Sequence, residues 1–154
     1  MKKFLSAIAI AAASVSVSAH ATELLITPNQ SNAKDARATK GPRADSLALD
    51  FVSDGNTVGF QFNIPLPKDA ASSQVNIKGC VSEVPAKYFS HCNIAKGHII
   101  VQVANDNGDP IPAGVFPVGR IVLSGMTAQD LGEVKLIAAD KDAEAIQSSV
   151  RIVK

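Results

Sequence analysis

The sequence predicts an all-β protein: an antiparallel β-sandwich of jelly-roll type with about seven to nine strands and one disulfide. Three observations carry this. From Leu47 onward, short segments alternate apolar and polar residues with period two, the pattern of strands that bury one face against a core. Turn-forming clusters separate these segments, and no stretch sustains a helical period. The only two cysteines, Cys80 and Cys92, lie 12 positions apart, which in an oxidising compartment is most simply a disulfide.

That compartment is read from the N-terminus. Lys2 and Lys3 form a positive start, Phe4 to Val17 is apolar and small, and Ala19-His20-Ala21 offers an A-x-A cleavage site. Residues 1–21 therefore read as a secretory signal peptide, with a mature chain beginning near Thr22 that is exported to the periplasm or secreted. No other run approaches the ~20 apolar residues of a spanning helix, so no membrane span is expected. Residues 22–45 are expected to form an N-terminal strand and a flexible polar segment, and residues 46–154 the sandwich domain. Glu23–Thr27 is the strand, stopped by Pro28. Asn29–Asp45 is polar and carries Gly41-Pro42, and its evenly spaced Lys34, Arg37, Lys40 and Arg43 read as solvated charge.

The sandwich strands follow in order. Leu47, Leu49 and Phe51 share one face, and Ser53–Asn56 supplies an Asp-Gly turn suited to a tight hairpin. Val58, Phe60, Phe62 and Ile64 then alternate with Gly59, Gln61 and Asn63 until Pro65 and Pro67 end the strand. Gln74–Lys78 and His98–Ala104 continue the pattern, with Ile99, Val101 and Val103 inward. Asn105–Asp109 reads as a hairpin turn, and Val118–Leu123, Glu133–Ala138 and Ser149–Val153 complete the set. Met126–Leu131 and Asp142–Gln147 are each expected to form one helical turn.

Several of these stretches resemble the cohesin family and, more broadly, the carbohydrate-binding-module-like β-sandwich superfamily. VGFQFNIPLP (Val58–Pro67) is similar to a strand placed before the first long loop of such domains. GHIIVQVAND (Gly97–Asp106), PIPAG (Pro110–Gly114) and VGRIVL (Val118–Leu123) are similar to the central strand, its turn and the next strand. VRIV (Val150–Val153) is similar to the closing strand. The resemblance implies a cohesin-like sandwich; no binding residue is carried over from it.

Composition bounds the function. Removing residues 1–21 leaves 133 residues, enough for one domain with one core, and 13 basic against 14 acidic side chains. That balance gives no footprint for nucleic acid or an anionic membrane surface. The elbow G-x-S-x-G of serine hydrolases is missing, and Ser90-His91 are sequence neighbours whose side chains would diverge on a strand. The Cys80–Cys92 spacing is not that of a redox C-x-x-C pair, and a metal site there would need more ligands than His91 and His98 readily supply. Asn105–Pro110 (NDNGDP) has hard-cation chemistry but puts Pro110 where an EF-hand needs glycine, so a turn explains it better. Paired carboxylates would have to come from Asp50, Asp54, Asp106 and Asp109, most of them turn residues.

The expected function is thus a non-catalytic exported binding or structural module with no cofactor and no metal, whose partner is an extracellular or periplasmic protein or glycan. With no Trp and a single Tyr, Tyr88 is the aromatic expected to reach solvent with a polar tip. Tyr88 and His91, both inside the Cys80–Cys92 ring, are the candidate binding residues. The alternatives are an adhesion or assembly protein that pairs through His98–Ala104 as an edge strand, and a metal-dependent secreted enzyme using His91, His98 or Asp106.

Overall fold

The computed structural model describes residues 21–29 and 44–153. Residues 1–20 of the expected signal sequence and the basic run Lys34, Arg37, Lys40 and Arg43 lie outside the described residues. Among those described are ten strands: β1 (Thr22–Asn29), β2 (Ala44–Ser53), β3 (Gly59–Pro65), β4 (Val75–Asn76), β5 (Phe89–Ala95), β6 (His98–Ala104), β7 (Gly114–Ser124), β8 (Lys135–Ala139), β9 (Ala145–Ile146) and β10 (Ser148–Ile152). They form two five-stranded sheets, in the orders β10-β1-β2-β7-β4 and β5-β6-β3-β8-β9. β1 and β10 run parallel, and every other pair is antiparallel.

The alternation seen in the sequence is the alternation of burial. Leu47, Leu49 and Phe51 of β2 and Leu24 and Ile26 of β1 are fully buried, as are Phe62 and Ile64 of β3 and Ile99 and Val101 of β6. These two inner faces make one core, each large side chain contributing about 1.5–3 kcal/mol by leaving water. Phe51 and Phe60 stack across the sheets with centroids 4.0 Å apart, and Phe116 of β7 meets Phe60 edge-on at 6.3 Å.

The turn residues are where the sequence places them, but two turns cross between the sheets instead of closing hairpins. Gly55 takes φ +87°, and Asp54 Oδ1 accepts hydrogen bonds from Asn56 N and Thr57 N at 2.9 and 3.1 Å. Yet β2 and β3 belong to opposite sheets, so Ser53–Asn56 is a crossing and not a hairpin. The Asn105–Asp109 turn likewise carries the chain from β6 to β7 in the other sheet; Asn107 N donates to Asn105 Oδ1 at 3.1 Å. The two crossings are stitched together by Ile111 N to Thr57 O at 2.7 Å and Ser53 Oγ to Ile111 O at 2.9 Å. Asx chemistry fixes the local bend, whereas burial of both strand faces decides which sheet the next strand joins.

Three further expectations are corrected. Asp142–Gln147 forms no helical turn: Asp140 caps a tight bend and the chain returns as β9. Met126–Leu131 narrows to a 3-10 turn at Ala128–Asp130. β6 is not an edge strand, because β5 and β3 pair with its two sides, so the adhesion reading loses the strand it rested on.

Cys80 and Cys92 are joined, with Cα atoms 6.5 Å apart. The half-ring before β5 also fastens to β7. Asp50 pairs with Pro117 and Leu49 with Gly119, so Val118 is the extra residue of a bulge. There Glu83 N donates to Val118 O at 3.1 Å and Arg120 N to Gly79 O at 2.8 Å. Gly119 is required by this approach, since a Cβ would overlap the Gly79 carbonyl oxygen and lie 2.7 Å from the Cys80 carbonyl carbon.

Candidate functional site

The last four residues of the disulfide ring, Phe89 to Cys92, lie in strand β5 and not in a loop. A two-residue turn, Lys96-Gly97, with φ of +51° and +75°, joins it to β6. Its register, Phe89 opposite Ala104 and His91 opposite Gln102, turns Phe89, His91 and Asn93 outward and Cys92 toward the core. The expectation for Tyr88 is therefore corrected. Tyr88 is only 6% exposed, and its ring stands edge-on to Phe116 with centroids 5.1 Å apart. The aromatic that reaches solvent is the next residue, Phe89, at 50%. Tyr88 and His91 are not brought together: one packs inward and the other stands on the outer surface.

The outer surface of the β5-β6-β3-β8 sheet is built in rows. Phe89, Ala104, Gly59 and Ala139 lie side by side, as do His91, Gln102, Gln61 and Ile137. The small residues of the first row make a floor between two exposed apolar side chains, Phe89 and Ile137, the latter 60% exposed. The depression holds about 310 Å³. Gly59 keeps that floor low, because a Cβ there would press on Val103 O at 3.2 Å and Ala104 Cβ at 3.3 Å.

Amides occupy the middle of the face. Gln102 Nε2 donates to Gln61 Oε1 at 2.7 Å, and Gln61 Nε2 donates to Asn63 Oδ1 at 3.3 Å. This chain fixes three polar side chains in advance, which lowers the entropy cost of using their remaining donors and acceptors for a partner. Asn93 Oδ1, buried and without a donor, belongs to the same face. No carboxylate stands on these four strands' outward positions; the titratable groups there are His91, His98 and Lys135.

The opposite sheet is different. Its outer face carries Glu23, Asp50, Arg120 and Arg151, with Arg151 Nε 3.1 Å from Glu23 Oε1 and Arg120 Nε 3.9 Å from Glu83 Oε1. Partial burial, and then the Glu83 charge, push the Asp50 carboxyl above its ordinary range against the opposing pull of Arg120.

The remaining candidate residues do not assemble into a reacting centre. Partial burial alone would raise the Asp54 carboxyl, but hydrogen bonds from Asn56 and Thr57 outweigh it and hold it below the usual range. His91 lies opposite Gln102, whereas His98 lies opposite Ala95, so roughly 13 Å of strand separates the two rings' rows. Asp106 and Asp109 are exposed in the β6–β7 crossing. Among the described residues no three His, Cys, Asp or Glu side chains gather in metal-binding range. No described helix is long and apolar enough to cross a membrane.

No family model matches this sequence, and no curated protein matches it. Solved structures do match, on fold. A type I cohesin in the Coh-OlpC–Doc435 complex of Clostridium thermocellum superposes with a TM-score of 0.54 at 15% identity, covering 84% of this chain and 88% of that one. The fold is cohesin-like. A chain of the complex between CaCohA2 and a CaDoc0917 variant matches with a TM-score of 0.51 at 13% identity over 86% of this chain and 98% of that one. A type II cohesin, A11 of Bacteroides cellulosolvens, matches at 0.50 and 14% over 84% and 95%. At such identities the likeness is one of fold, and the face and loops of this cohesin-like sandwich are its own.

What sequence reasoning missed here is β5, with Phe89 on it, and the outward placing of Ile137 in the strand read over Glu133–Ala138. The Lys96-Gly97 pair was the signal at hand, since a glycine after a polar residue between two short apolar-containing segments marks a two-residue hairpin.

Proposed function

We propose that this chain is a non-catalytic docking module that receives a protein partner on the outer face of the β5-β6-β3-β8 sheet. The observation that carries the reading is the composition of that face: ordered amides at its centre, Phe89 and Ile137 standing free on either side of a shallow floor, and no carboxylate. Depletion of charge with exposed aromatic and aliphatic anchors is the make-up of an interface core. His91 is placed to contact the partner from the row beside Phe89, and Tyr88 supports Phe116 and the strand from beneath. The Coh-OlpC–Doc435 structure is a cohesin–dockerin complex, which favours a protein over a glycan as occupant. The single aromatic ring on the face, Phe89, points the same way, because sugars are usually held by stacking on broad aromatic platforms.

Export is part of the proposal. It rests on residues 1–21 and on the Cys80–Cys92 disulfide, which persists in an oxidising compartment.

The test is affinity capture from the host's culture supernatant and periplasmic extract, with the mature chain as bait and a Phe89→Asp/Ile137→Asp variant as control. Both side chains are exposed, so the variant keeps its fold and melting temperature. A protein retained by the parent and lost, or weakened at least ~30-fold, in the variant supports the reading. Equal retention by both, or retention of nothing, refutes it.

A further inference from the structure

The face just described is small. Four strands about 4.8 Å apart and seven residues of about 3.3 Å each project to roughly 440 Å², against about 800 Å² that each partner commonly buries in a stable complex. The partner must reach past an edge, and at one edge the molecule offers a built cavity. The last row of the face, Ala95, His98 and Pro65, opens into a cavity of about 500 Å³ between the β5–β6 turn and the segment after β3.

Its lining pairs cationic groups with apolar walls. The cationic groups are Lys68, from the segment after β3, and Lys96, from the turn; His98 lines the cavity from the first position of β6, and Leu66 and Ile94 supply apolar surface. No carboxylate lines it; the nearest in sequence, Asp69, lines the neighbouring cleft with Asp130. Neither lysine side chain has an ion-pair or hydrogen-bond partner among the described residues. The two elements carrying them are tied together by Leu66 N donating to Gly97 O at 2.8 Å. The His98 ring is oriented by Nδ1, which donates to the Lys96 carbonyl oxygen at 2.9 Å. Two ammonium groups on two fastened elements, without a counter-charge, form a receptor for an anion held against an apolar wall.

We propose that this cavity takes a side-chain carboxylate, Glu or Asp, from an acidic segment of the partner docked on the adjoining face, and so fixes the partner's register. The inference rests on the docking reading for its occupant. A peptide carboxylate suits the cavity better than an acidic sugar, because no aromatic ring lines it for stacking.

The test does not need the partner in hand. The ¹⁵N-labelled mature chain is titrated with N-acetylglutamate amide, with N-acetylglutamine amide as the uncharged control and galacturonate as the sugar arm. The glutamate probe is expected to shift the amides of Lys68, Lys96, Gly97 and His98 saturably in the low-millimolar range, with no such shift from the glutamine probe. Lys68→Gln/Lys96→Gln should weaken this at least fivefold, and Ser72→Asp, a counter-charge placed at the exposed rim, should do the same in a second background. Equal shifts from both amides, stronger binding of galacturonate, or shifts spread over Lys87, Lys135 and Lys141 would overturn the proposal. A captured partner that is lost with Phe89→Asp/Ile137→Asp but indifferent to Lys68→Gln/Lys96→Gln leaves the docking face standing and removes the carboxylate subsite alone.

Discussion

Replacing Cys80 and Cys92 together by alanine should cost the fold about 3 kcal/mol. The disulfide closes a ring across a separation of 12 residues, and the loop-entropy relation gives roughly 10 cal/mol/K for a ring of this size, or about 3 kcal/mol at 25 °C. The structure bears on how much of that is realised. Cys80 is fully buried, so alanine leaves a small void there, whereas Cys92 is half-buried in the middle of β5, an edge strand. The ring's first half is also held by Glu83 N to Val118 O and Arg120 N to Gly79 O, so the native backbone has other restraints. The assay is urea unfolding of the mature chain by far-UV circular dichroism, oxidised parent against Cys80→Ala/Cys92→Ala. With a slope of about 2 kcal/mol/M, the midpoint should fall by about 1.5 M. The slope itself should rise, because a denatured chain without the cross-link exposes more surface. Amide exchange in β5, which pairs on one side only, should accelerate more than in β6. Midpoints that agree within about 0.3 M would refute the entropic argument and assign the ring's stability to the β7 hydrogen bonds.

Substitutions at three positions elsewhere in the sandwich have equally definite outcomes. Asp54→Ala should cost about 2 kcal/mol, since its carboxylate accepts from Asn56 N, Thr57 N and the Thr57 hydroxyl. Because its folded-state pKa lies below the ordinary 3.8, this contribution is present above about pH 4 and disappears as pH falls through the lower folded value; Asp54→Asn should flatten that part of a thermal-melting pH profile. Asp50 has the opposite sign: its pKa is raised above 3.8, so its contribution is full below that value and is lost as pH rises through the folded one. Asp50→Asn should therefore melt no lower than the parent at pH 7, and a clear drop would show that the Arg120 attraction dominates. Gly119→Ala should cost at least about 2 kcal/mol, because backbone and not a movable side chain occupies the Cβ position, and a parent-like melting temperature would show that the bulge relaxes freely.

Strands with strong contrast between their faces were readable from the sequence. Leu47, Leu49 and Phe51 in β2 and Ile99, Val101 and Val103 in β6 are the inward residues of both the pattern and the fold. The turns were readable as bends but not as connections. Asp54-Gly55 and Asn105–Gly108 bend the chain through their own hydrogen bonds, and nothing in those residues says whether the next strand pairs with the last one or crosses to the other sheet. That choice is made by the facing partner: Phe60 leaves β2's sheet to stack on Phe51 from across the core. The strand read over Gln74–Lys78 shortens to β4, and the two-residue β9 was beyond reach because two residues carry no period.

The apolar anchors of the candidate site were unreadable for a reason tied to its proposed use. Periodicity detects a strand when its outward residues are polar and its inward ones apolar, and β5 inverts much of that contrast: Phe89 points out while Ser90 and Cys92 point in. β8 reads as a strand over Glu133–Ala138, but its outward Ile137 is flanked by Leu136 and Ala138, so no alternation marks which residue faces out. A surface that docks a protein must shed charge and present apolar anchors, which is the same change that erases an amphipathic pattern. The choice between Tyr88 and Phe89 shows how fine the distinction is. Both are aromatic neighbours in the same ring, and one residue of register, set by Phe89 facing Ala104, decides which of them packs under Phe116 and which meets solvent. Strands whose pattern weakens without a break in their pairing are thus the places on this sandwich where an interface is to be sought, and β5 and β8, flanking the depression between Phe89 and Ile137, are two of them.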